Sequence, residues 1–60
     1  MSRRAADSVF QAMFVLTDLR VILRATAPTH ELDPGQRNEA ERLIRDLEEQ
    51  VAILRKELIP

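Results

Sequence analysis

The sequence predicts an all-α fold, an antiparallel hairpin of two amphipathic helices, and three observations predict it. Two long stretches place apolar side chains at alternating steps of three and four, the spacing of one face of an α-helix. A Pro-containing connection separates them. The 60 residues are 45% hydrophobic and 32% charged with a single Gly, which is too apolar for a disordered tail and typical of helical bundles.

The first helix is expected from about residue 3 to residue 26. Its main stripe is Ala5, Val9, Ala12, Leu16, Leu19 and Leu23, all on one side at 3.6 residues per turn. Asp7 near the start and Arg24 near the end suit the helix dipole. Ser8 and Gln11 have capping-box spacing, so a start at Ser8 is an alternative. Pro28 disfavours helical geometry at Ala27 and stops the segment. Residues 27–33 form the connection, a length usual between antiparallel neighbours.

The second helix, expected over 34–58, has the clearest start. Asp33 is a good N-cap, Pro34 fits the first helical position, and Gln36 stands three after the cap. Its seam is Ala40, Ile44, Leu47, Val51, Leu54 and Leu58, an unbroken heptad pattern flanked by Leu43. Glu41, Arg45 and Glu49 form a ladder that Arg37 extends, Arg42 reaches Asp46, and Arg55 with Lys56 suit the last turn. The intramolecular seam is therefore expected to join Val9, Leu16, Leu19 and Leu23 to Ile44, Leu47, Val51, Leu54 and Leu58. The chain opens at Met1 and is read as one complete small domain over 1–60.

Charge supports this pairing and narrows the function. Residues 1–30 hold four arginines against two aspartates, net +2, and residues 31–60 are net −3, so the halves attract weakly. An overall charge of −1 does not suit a protein that coats nucleic acid. Cysteine is absent, which removes disulfides and thiolate metal sites. No secretion signal is visible, and Asp18, Arg20 and Arg24 break the one run that resembles a membrane span. A cytoplasmic protein is expected, with no membrane partner. A surface-lying helix would carry lysines along its polar face, which the first helix lacks.

Catalysis is not expected. His30 is the single histidine and has no His-Glu-x-x-His context, so it reads as a solvated loop residue. Glu39, Glu41, Asp46, Glu48 and Glu49 lie off the apolar seam beside basic residues, which makes them an ion-pair face and not a metal or acid–base pair. No nucleophile triad or phosphate loop is present, and neither a cofactor nor a metal is implied.

The first helix points to association. Phe10, Phe14 and Val21 fall almost opposite its main stripe, and Val15 with Ile22 fall on a third side. A helix apolar on several sides is normally covered on several sides, and one hairpin has a single seam. Phe10, Met13, Phe14 and Val21 are therefore expected to contact a second chain, either another copy or a larger helical protein for which this chain is an accessory or regulatory subunit. In the homodimer the first helix would form the middle and the charged second helix the outer wall. The alternative uses Arg3, Arg4, Arg20 and Arg24 on a dimer to bind nucleic acid. Two helices of this length in so short a chain resemble the small hairpins that dimerise into four-helix bundles, such as the Rop family of RNA-binding plasmid regulators. The resemblance lies in size and pattern, and it implies a dimeric bundle and this nucleic-acid alternative.

Overall fold

A computed structural model describes residues 2–59 as two helices, α1 over Arg3–Ala25 and α2 over Pro34–Leu58, packed side by side. They run antiparallel. Ser2 bonds to Glu57, Ser8 to Gln50 and Gln11 to Asp46, so positions rising along α1 meet positions falling along α2.

Side-chain chemistry fixes the helix starts. Ser2 caps α1, its hydroxyl accepting from the Ala5 amide at 3.1 Å. The helix begins there and not at Ser8, whose hydroxyl is committed across the seam to Gln50. Asp33 caps α2 in a complete capping box. Its carboxylate accepts from the Gln36 amide at 2.7 Å, and the Gln36 side chain accepts from the Asp33 amide at 2.9 Å. Between the helices, the Thr26 amide and hydroxyl both donate to the Ile22 carbonyl, which closes α1. The His30 amide donates to Thr26 at 2.8 Å, and His30 takes a left-handed φ of 56° to turn the chain back.

The seam is rotated from the one expected. The covered row of α1 that faces α2 is Ala5, Ser8, Ala12, Val15, Leu19 and Ile22. On α2 the covered row is Gln36, Ala40, Leu43, Leu47, Gln50, Leu54 and Glu57. Both rows keep alternating steps of three and four, as packed helices require. Of the expected seam, Leu19, Leu47 and Leu54 are half-buried. Val9, Leu16, Leu23, Ile44, Val51 and Leu58 remain 40–51% exposed. Ala5, Ser8 and Ala12 make the N-terminal half of the covered α1 row small, and Ala40 does the same for one position of α2, while the rest of both covered rows carries larger side chains.

This leaves a thin core. Among the described residues, Ala5, Val15 and Leu43 are the fully buried hydrophobic side chains. The hairpin is an elongated slab, 40 Å long and about 15 Å across between Cα atoms. It has little interior and two broad flanks.

Candidate interface

The two flanks differ sharply, and the angular position of each residue shows why. With each residue turned 100° from the last, Val9, Leu16 and Leu23 lie about 70° past the middle of the α1 seam. Ile44, Val51 and Leu58 lie about 70° past the middle of the α2 seam, in the same sense. In antiparallel helices that face each other, equal rotations along the two chains turn to the same side of the pair. The six side chains therefore share one flank. Half-buried Ala12, Leu19, Ala40, Leu47 and Leu54 lie between them and make the surface continuous. Near the C-terminal end of α2 it forms a shallow groove lined by Val51, Leu54, Arg55, Leu58 and Ile59.

The opposite flank is mostly polar, with half-buried Ile53 as its apolar member. Gln11 and Asp46 lie about 70° before the two seam centres, and they meet, which independently confirms the geometry. Ser8 is 3% exposed and donates to the Gln50 side-chain oxygen at 2.8 Å. Gln50 then donates to one oxygen of Asp46 and Gln11 to the other, both at 2.9 Å. Donation from Gln50, then from Gln11, holds the Asp46 carboxyl below its ordinary value. Burial opposes this and the Arg42 charge adds to it. The expected Arg42–Asp46 contact is replaced: Arg42 pairs with Glu39, and Asp46 serves the glutamines. No described buried side-chain polar atom lacks a partner, so this flank is satisfied within the hairpin.

A second apolar surface lies on the back of α1. Phe10, Met13, Phe14 and Val21 point away from α2 and are 57–67% exposed, more than the six residues of the flank. They lie on the far side of the helix from the seam; Arg20 stands between Val21 and that flank, while Met13 is one turn from Val9 and Leu16 and joins the two surfaces there.

The basic residues form no single cluster. Arg3, Arg4, Arg20 and Arg24 are all exposed. Arg3 and Arg20 stand 17 positions apart along α1, about 25 Å along its axis. Arg3 lies 4.0 Å from Asp7, while Arg4, Arg20 and Arg24 enter no ion pair among the described residues. On the outside of α2, Glu41 and Arg45 pair at 3.2 Å, one rung of the expected ladder. His30 is exposed in the loop. Among the described residues, no group of three or more His, Asp or Glu side chains converges as metal ligands would. Neither helix is long and apolar enough to cross a membrane.

The candidate site of this protein is therefore a surface and not a pocket: the apolar flank built jointly by α1 and α2, with the back of α1 as a second, smaller patch. No protein-family model, curated protein or solved structure matches the chain.

Proposed function

We propose that the protein is a helical protein–protein interaction module that acts without catalysis, and that it closes its apolar flank against a second copy to form a four-helix bundle. One observation carries this reading. The bulky heptad rows of both helices, Val9, Leu16 and Leu23 with Ile44, Val51 and Leu58, stand half-exposed on the same flank of the hairpin. Aligned heptad rows are the side chains that bundle helices interdigitate around a common axis.

Size supports a second copy as the occupant. A face about 40 Å by 15 Å is comparable with the roughly 800 Å² per partner that stable interfaces bury. The flank has heptad spacing on both helices, so an identical flank turned by a two-fold axis offers it matching ridges and holes. The sequence had assigned the contact with another chain to Phe10, Met13, Phe14 and Val21. The two-helix flank is the stronger candidate because it is longer, uses both helices and continues directly into the seam. In such a dimer the polar flank with Asp46 faces water, where its charge is solvated.

Leu16→Glu with Val51→Glu places two carboxylates in the middle of the flank and leaves the covered rows untouched. In light scattering the unmodified protein should have twice the 6.9 kDa mass of one chain, and the double variant the mass of one chain. A double variant that keeps the dimer mass contradicts the proposal. The nucleic-acid reading gains no specific support from this geometry, because the arginines are spread along α1 and do not converge.

A further inference from the structure

The back of α1 is a separate surface, and its chemistry differs from that of the flank. Phe10, Met13, Phe14 and Val21 form a stripe along three turns on the side of α1 away from α2, with Thr17 between Phe14 and Val21. Both aromatic residues of the protein are here, one turn apart. The stripe is one helix wide. Arg20 borders it on the side toward the apolar flank, and Arg24 closes its C-terminal end. Asp7 and Asp18 border the other side, and Asp7 already has Arg3 at 4.0 Å. Arg20, Arg24 and Asp18 enter no ion pair among the described residues. The patch is thus an apolar strip with an unpaired basic edge and a weaker acidic edge.

We infer that the back of α1 docks an amphipathic helix of a different protein, one whose apolar row is flanked by acidic residues on the edge that meets Arg20 and Arg24. The width selects a helix, since a strip one helix wide, with Phe10, Met13 and Phe14 within about one turn and Val21 two turns on, fits the apolar row of an amphipathic helix. The two phenylalanines are the anchors, and the unpaired arginines set the charge of the occupant. The chain's own outer surface on α2 does not match. Around Arg45 and Glu49 it presents charged residues with Ala52 as its apolar member, so that surface offers the stripe no apolar row. An anionic lipid surface also fits poorly, because Asp7 and Asp18 would be pressed against its headgroups. The inference rests on Phe10, Phe14, Arg20 and Arg24, which lie outside the apolar flank, and Met13 is where the stripe borders it.

Binding of fluorescent 18-residue peptides, followed by anisotropy on the full chain, tests it. The probe has leucines at steps of three and four, glutamates along one edge and lysines along the other. The control has lysines along both edges. The probe should bind with a Kd on the order of tens of micromolar and the control at least about tenfold more weakly. Phe10→Ala with Phe14→Ala, and separately Arg20→Glu with Arg24→Glu, should each weaken the probe about tenfold or more while the mass in light scattering is unchanged. Absence of probe binding, equal binding of the control, or indifference to both double variants overturns the inference. So does a lower mass in the phenylalanine variant, which would assign the stripe to self-association. Phosphatidylglycerol vesicles that bind the chain and lose it in that same variant would assign the stripe to a membrane, and would also overturn it. Failure of the dimer reading has a separate signature, a single-chain mass for the unmodified protein.

Discussion

The polar and apolar flanks of this hairpin border the same seam at the same angular distance, yet one is finished and the other is not. On the polar flank, Ser8, Gln50, Asp46 and Gln11 satisfy one another in an unbroken chain of hydrogen bonds. On the apolar flank, six large aliphatic side chains are left half in water. Hydrogen bonds are directional and saturate once each donor has its acceptor, whereas apolar area keeps its cost in water until something covers it. Of these two flanks, only the apolar one has area left to cover. The polar chain links the two helices to each other, and in the proposed dimer the aliphatic rows would supply the drive to associate.

This contrast can be broken from the seam outward. The largest expected effect is at Leu43, the one bulky buried residue of α2. Leu43→Ala should cost about 3 kcal/mol by opening a cavity between the helices, read in urea unfolding at a fixed chain concentration. An effect within about 0.5 kcal/mol would mean that the seam contributes little and that the flanks carry the fold.

Acid sharpens the comparison because it acts on the carboxylate of the polar flank and leaves the aliphatic rows uncharged. The folded-state pKa of Asp46 lies below its ordinary value of 3.8, so the folded chain binds fewer protons than the unfolded chain as the pH falls through that range. The stabilisation is fully present above the ordinary value and is lost as the pH drops through the lowered one. Melting temperature followed from pH 6 to pH 2 should decline more steeply in the unmodified protein than in Asp46→Asn. Parallel acid limbs would show that the glutamine donors do not hold the charged carboxylate.

The smallest expected effect lies outside both flanks, at the turn. His30 adopts a left-handed backbone, which costs an L-residue about 1–2 kcal/mol and costs Gly little. Part of that gain is offset by the extra freedom of Gly in the unfolded chain, so His30→Gly should stabilise by about 0.5 kcal/mol with no change in assembly mass. A loss of stability would show that the imidazole, and not the backbone turn, matters at this position.

Much of the fold was legible because it is written in local chemistry. Asp33, Pro34 and Gln36 mark the start of α2 by capping, and Thr26, Pro28 and His30 hold the turn with little help from distant residues. The direction of the seam was not legible. Periodicity shows that Val9, Leu16 and Leu23 share a row, but not which neighbour that row faces. The covered row of α1 contains Ala5, Ser8 and Ala12, which carry almost no hydrophobic signal. Ser8 and Gln50 look like surface residues until their partners across the seam are known, because only tertiary pairing makes a buried hydroxyl affordable. The same holds for Arg42, which the i,i+4 rule directs to Asp46 and the fold gives to Glu39. For the candidate site, the exposed Phe10 and Phe14 stripe could be read from the helical wheel alone, since it needs one helix. The larger flank needs both helices at a known rotation, so it emerged only once they were packed.

Sedimentation equilibrium on the unmodified chain, over about a hundredfold range of concentration, tests most directly whether the six aliphatic side chains have a second copy to cover them. The account predicts a reversible association that approaches twice the 6.9 kDa chain mass, with the melting temperature rising as the chain is concentrated. A single-chain mass throughout that range, with a cooperative melt that ignores concentration, would contradict it.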